Sequence, residues 1–197
     1  IASPYSPSHR GFLNTIHIAV DAIPGLEGNA KAEALVAKAG GQVDRSNGSI
    51  DYVAHAKRQA PLLEALFVLF KTSADGNAIS QLEAFTAEGG EELRRFAIYE
   101  AISAERGGNW HEWPAELQNP DTAANAKIDP ASLEFHIWLQ WAASEQLRQA
   151  TEASAMPLGL YLDLAVGARR DGAEAWMGQN SVAKGVALGA PPDHLSP

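Results

Sequence analysis

The stretch "DPASLEFHIWLQWAASEQLRQATEASA", residues 129–155, constrains the fold more than any other. Asp129 is a helix cap, because its carboxylate can take up first-turn amides. Pro130 suits the first helical position, where an amide would have no partner anyway. Leu133, Ile137, Trp138 and Trp141 then recur at helical spacing and form one inward stripe. A helix this long with two indoles on one face needs other elements to cover it.

Those elements are legible on both sides. Residues 31–39 form an alanine-rich helix ended by Gly40 and Gly41. Ser49 or Asp51 caps the next helix, and from Val53 positions 56, 60, 63, 67 and 70 are apolar at spacings of three and four. Pro61 interrupts that stripe and predicts a kink or a new start. "NAISQLEAFTAEGG" is a helix stopped by Gly89 and Gly90. "EELRRFAIYEAISAERGG" is another, with Leu93, Phe96, Ala97 and Ala101 on one face. "NWHEWPAELQNP" is a loop with two tryptophans, and "DGAEAW" is one helical turn. Ile16, Ile18 and Val20 alternate, which predicts a short strand or extended segment. "SPYSPSHRG" and the closing "GAPPDHLSP" are loops.

One stretch is strand-like throughout. In "LGLYLDLAV", residues 158–166, the chain is apolar on both faces, as in a parallel sheet covered by helices. A lone strand leaves its backbone groups unpaired unless other strands flank it. Asp163 stands in the middle of this run. Two readings are open from the residues: a hydrogen-bonded core or capping carboxylate, or a site carboxylate at the end of a barrel strand.

Composition narrows the function classes. Forty-six per cent of the 197 residues are hydrophobic, which supports a folded core rather than disorder. Fifteen basic against 24 acidic residues leave a net charge of −9, which repels phosphate backbones and argues against nucleic acid as a partner. The absence of cysteine excludes disulfides, thiol nucleophiles and cysteine-bound metal, and fits a cytoplasmic location. The longest strictly apolar run, 65–70, is far too short for a membrane helix. No signal-peptide pattern is visible, and a first residue of Ile1 predicts that sequence upstream was removed or not included. The six histidines lie at 9, 17, 55, 111, 136 and 194 without metal-binding spacing, and no phosphate loop or nucleophile elbow occurs. Flat aromatic faces can stack on sugar rings. Tyr5 is a candidate for this; Trp138 and Trp141 belong to a core stripe, and Trp110 and Trp113 fit either role.

Six blocks then occur in a telling order: "SPYSPSHRGFLN", "GGEELRRFAIYEAIS", "GGNWHEWP", "FHIWLQW", "GLYLDLAVGARRDGAEAW" and "GAPPD". Together they resemble bacterial 4-alpha-glucanotransferases, the amylomaltases or disproportionating enzymes of glycoside hydrolase family 77. The resemblance covers nearly the whole chain, least clearly residues 25–50. It implies an α/β parent, a (β/α)8 barrel of the α-amylase clan with inserted helices. It also implies transfer of α-1,4-glucan segments between maltooligosaccharides, or to glucose, by a retaining double displacement that needs no cofactor.

The resemblance divides the chain into an active-site loop and extended segment (1–24), a helical insertion (25–156), and barrel strand three with its following loop (157–197). By it, Tyr5 lies beside the donor sugar subsites, and Asp163 lies at the rim of the subsite where the scissile sugar is distorted. Asp171 and Trp176 match the "D-x-A-E-x-W" segment, and Asp193 leads into a substrate loop. These five are the expected substrate-binding residues. No catalytic carboxylate is expected within the chain: the nucleophile Asp, the acid/base Glu and a third Asp should lie beyond residue 197, and the first two barrel strands ahead of residue 1. Leu162 stands where many relatives carry Arg, and Thr15 and His17 where Pro and Tyr are usual. The isolated chain is therefore expected to be inactive. The alternative is a non-catalytic helical module that binds glucans or a protein through an exposed Trp110–Trp113 loop.

Overall fold

A computed structural model of the chain describes residues 7–40 and 51–182. All regular structure among them is helical: α1 (Ala30–Ala39), α2 (Tyr52–Ser73), α3 (Gly76–Arg106), α4 (Ala115–Gln118), α5 (Pro120–Ala123), α6 (Pro130–Ala153) and α7 (Ala173–Met177), with single 3-10 turns at Thr15–His17 and Trp110–Glu112. The long helices begin at short polar side chains that satisfy first-turn amides. Asn29 accepts from Lys31 and Ala32, Asp51 from Ala54, Asp75 from Ala78, and Asp129 from Ala131 at 3.0 Å. Pro130 occupies the first turn of α6, as the sequence predicts.

Two punctuation marks act in different ways. Helix α2 runs on through Pro61 without a restart. An internal proline costs about 3 kcal/mol. Just beyond it Leu63, Leu66, Phe67 and Phe70 are all buried, and each buried apolar side chain contributes roughly 1.5–3 kcal/mol. Packing therefore outweighs the lost hydrogen bond. Gly89 and Gly90 stop one helical run and start the next within the span of α3, as the sequence predicts. They turn the axis of α3, with Gly90 at φ 49°, ψ −136°, a conformation that side-chain-bearing residues avoid.

Of the short strand or extended segment expected at Ile16, Ile18 and Val20, the first part is instead the Thr15–His17 turn, capped by Asn14, whose Oδ1 accepts from the Ile16 amide, while Ile18 is extended. This segment finds partners for its backbone in glutamine side chains instead of a neighbouring strand. Gln140 on α6 accepts from the Leu13 amide at 3.0 Å and donates to the Leu13 carbonyl at 2.9 Å. Six residues on, Gln146 does the same for Ala19 and also donates to Ala22. Gln59 on α2 donates to Ile18 at 2.8 Å. A carboxamide carries one donor and one acceptor at peptide spacing, so it completes an extended residue as a strand would.

Two apolar clusters form the interior. One joins α2 and α6 through Phe67, Phe70, Trp138 and Trp141, and is closed by Ile18, Ile23 and Leu26 from the first loop. Trp138 is fully buried, with Phe67 and Phe70 rings at 5.4 and 5.8 Å. The other gathers Phe96, Tyr99 and Ile102 of α3 with Trp110, Trp113, Leu117 and Trp176. The loop tryptophans are thus core residues, Trp110 8 % and Trp113 3 % exposed, and not a presented aromatic surface.

Residues 158–166 are not a strand here. The segment has no regular structure, and its apolar side chains face solvent: Leu158 is 99 % and Tyr161 98 % exposed, with Leu162, Leu164 and Val166 also exposed. The physical reason is the one the sequence raises: a strand exists only in a ladder, and no second strand lies among the described residues.

Candidate functional site

The sequence places its site residues around 158–176, and there the segment 7–10 returns to meet the chain. The Arg169 amide donates to the Pro7 carbonyl at 3.0 Å, and the Glu174 amide to the Ser8 carbonyl at 3.0 Å. Ser8 Oγ accepts from the Ala173 amide at 3.0 Å, taking up a first-turn amide of α7. A side chain on Gly172 would place its Cβ 2.5 Å from the Ser8 carbonyl oxygen, so only glycine allows this approach. Arg10 completes the junction. Its amide donates to Glu174 Oε2 at 2.9 Å, Nε reaches both Glu174 oxygens at 2.9 and 3.1 Å, and Nη2 pairs with Oε1.

From the other side, helix α3 grips the same segment. Tyr99 Oη lies 2.6 Å from the Asp171 carbonyl and 2.9 Å from the Gly108 carbonyl, and donates into that pair. Trp110 Nε1 donates to the Arg170 carbonyl at 3.2 Å. Trp113 Nε1 secures the turn below by donating to Gly107 at 2.7 Å. The backbone of 169–174 is therefore held between the segment 7–10 and the end of α3.

Charge states follow from these contacts. The Arg10 hydrogen bonds hold the Glu174 carboxyl below the usual carboxylate range. Burial pushes the Tyr99 phenol up to about 12, so it is a neutral donor. Burial raises Glu100, on the adjacent turn of α3, to about 7, against the opposing charge of Arg169. Burial also lowers His9, which lies edge-on to Phe12 at 4.8 Å.

The five expected substrate-binding residues meet different fates. Asp163 is exposed, and no hydrogen bond or ion pair reaches it among the described residues, so it is not a core or capping carboxylate. Asp171 holds its carboxylate, 44 % exposed, 3.2 Å from Arg169 Nε, while its backbone is fixed by Tyr99. Trp176 is fully buried, and its indole donates to the Leu117 carbonyl at 2.9 Å. It has no bare face for a sugar; it anchors α7 and hence the segment bearing Asp171. Tyr5 and Asp193 lie outside the described residues. Accessible carboxylates such as Asp163 and Asp171 can accept hydrogen bonds from ligand hydroxyls. No group of three or more metal-ligating side chains gathers among the described residues.

Sequence reasoning missed Ser8, Arg10, Tyr99 and Glu174. Arg10 and Glu174 both lie inside blocks that carry the family resemblance, with opposite charges, but 164 residues separate them. Nothing local signals a contact over that distance.

Comparison with known proteins gives the following. The family model described as 4-alpha-glucanotransferase matches residues 1–197. The 4-alpha-glucanotransferases of Mycobacterium bovis and Mycobacterium tuberculosis are 33 % identical over 200 residues, covering 98 % of this chain and 28 % of theirs. That of Haemophilus influenzae is 28 % identical over 220 residues, covering all of this chain and 31 % of its own. The crystal structure of amylomaltase from Corynebacterium glutamicum superposes with a TM-score of 0.62 at 25 % identity, over 98 % of this chain and 27 % of that one. The chain thus spans less than a third of the length of the relatives it matches.

Proposed function

The chain belongs to the 4-alpha-glucanotransferase family, glycoside hydrolase family 77, and we propose that it is a substrate-side part of such an enzyme rather than its catalytic centre. The carrying observation is the family match along all 197 residues combined with coverage of only 28 % of the mycobacterial relatives. On this reading the whole protein moves α-1,4-glucan segments between maltooligosaccharides, or to glucose, by a retaining double displacement. Such a reaction needs a nucleophilic carboxylate and an acid/base carboxyl on either side of the scissile bond. Both come from sequence beyond this chain, as do the strands that complete a (β/α)8 barrel around residues 158–166.

Within the chain, Asp163 and Asp171 orient sugar hydroxyls as hydrogen-bond acceptors. Their exposure supports this role. Tyr5 and Asp193 act in the same sugar-binding surface, by the family resemblance. Trp176 acts from beneath, as a packing anchor for the segment. Because glycosyl transfer has no covalent path without its nucleophile, the 197-residue chain alone is inactive.

The test is release of glucose from maltotriose by the purified chain and by the full-length protein. The expected result is transfer by the full-length protein alone. Transfer by the chain, from material of verified mass, contradicts the assignment of the catalytic carboxylates; no transfer by the full-length protein contradicts the activity itself. The alternative of a free-standing binding module rests on the helix content and on an exposed Trp110–Trp113 loop, and the second support is lost because both indoles are buried.

A further inference from the structure

We propose that Arg10 is a positioning residue for the segment 163–171, tying its two ends together through the Glu174 carboxylate and the Val166 carbonyl. The proposal rests on the reading of that segment as a glucan-binding rim. Arg10 binds Glu174 with its amide, Nε and Nη2, and turns Nη1 toward the Val166 carbonyl at 3.4 Å. The Arg10 guanidinium therefore spans from Val166, three residues after Asp163, to Glu174, three residues after Asp171. Only arginine carries enough fixed donors to do this; a lysine ammonium can serve one end well but not both.

The geometry around Asp163 makes the Val166 contact matter. Residues 160–165 form no backbone hydrogen bond to another segment among the described residues, and Tyr161, Leu162 and Leu164 are exposed. The Asp171 end, by contrast, is already held by Tyr99, Trp110, Pro7 and Ser8. Arg10 transmits that order to the Asp163 end. Both partners are partly exposed, Arg10 at 41 % and Glu174 at 21 %, so the pair adds little to global stability. Its effect is local: it limits where the two carboxylates stand relative to each other. A misplacement of about 1 Å in a substrate-orienting group can cost on the order of 10²-fold in rate.

The experiment uses the full-length protein and its Arg10→Gln, Arg10→Lys and Glu174→Gln variants. Melting temperature, amide hydrogen exchange over 163–174, and kcat and KM for maltotriose are read together. The expected result for R10Q is faster exchange at 167–172, just past the proposed strand, by about tenfold and a KM rise larger than any fall in kcat, with melting within a few degrees of wild type. E174Q should follow R10Q, and R10K should lie between R10Q and wild type. Unchanged exchange and KM in R10Q overturn the proposal. So does a change that appears only together with a large fall in melting temperature, which marks a merely structural role. If the wild type itself does not transfer glucan, the proposed function fails, and the exchange arm alone decides the positioning role.

Discussion

Helix α6 and the segment 158–166 lie a few residues apart and are both rich in large apolar side chains, yet one is buried and the other bare. Trp138 is fully buried, whereas Leu158 and Tyr161 are almost wholly exposed. The difference lies in where each finds its backbone partners. A helix bonds to itself, so its apolar stripe needs only another surface, and α2, α3 and the first loop supply one. A strand needs a neighbour to bond with before its faces can be covered. On the proposed function, the bare segment is where strands from elsewhere in the protein pair with this chain.

Truncation inside the helical core should have the largest effect. Trp138→Ala is expected to cost about 3–5 kcal/mol in urea unfolding of the chain. A loss below about 1 kcal/mol would mean that the α2–α6 cluster is not the stabilising core.

Two half-buried groups on α3 and α6 also have protons that burial has shifted. Glu100 is raised from 4.5 to about 7, so the folded state binds that proton more tightly than the unfolded chain. Its contribution is full below pH 4.5 and is lost as pH rises to 7, by on the order of 3 kcal/mol. Glu100→Gln should therefore gain on wild type over that window, read as urea midpoints at pH 4.5 and 8. Parallel profiles would place the carboxyl in water. His136, lowered by burial to about 4, works in the opposite sense, and its contribution is lost as pH falls from 6.5.

A smaller loss is expected where helix and extended chain meet. Gln140→Ala leaves both the Leu13 amide and its carbonyl without their side-chain partner, at about 1–3 kcal/mol. The smallest effect belongs to the bare segment: Tyr161→Ala should change the chain's stability by less than about 0.5 kcal/mol. A loss comparable to that of Trp138→Ala would erase the contrast between the two regions.

These differences also explain what could be read from the residues. Helix α6 was legible from Asp129, Pro130 and the stripe that follows, because capping and periodicity are local. Phe67 lies on the stripe that the spacing predicts, but the unbroken run of α2 past Pro61 was not legible, since the packing that holds it there includes Trp138 far along the chain. The alternation at Ile16, Ile18 and Val20 suggests a short strand or extended segment, but a 3-10 turn at Thr15–His17 and glutamine side chains from distant helices take the place of a ladder, and the residues alone do not show those partners. Asp163 could be found through its resemblance to a family motif. Arg10 could not be linked to it, because that link is made only by the fold.

The central claim is that residues 158–166 await strands supplied by the rest of a barrel enzyme. Amide hydrogen exchange over 160–166, in the 197-residue chain and in the full-length protein, tests it most directly. The account predicts fast exchange in the chain, beside slow exchange in α3 and α6, and strong protection in the full-length protein. Strong protection in a chain proven monomeric, or fast exchange in the full-length protein, would contradict it.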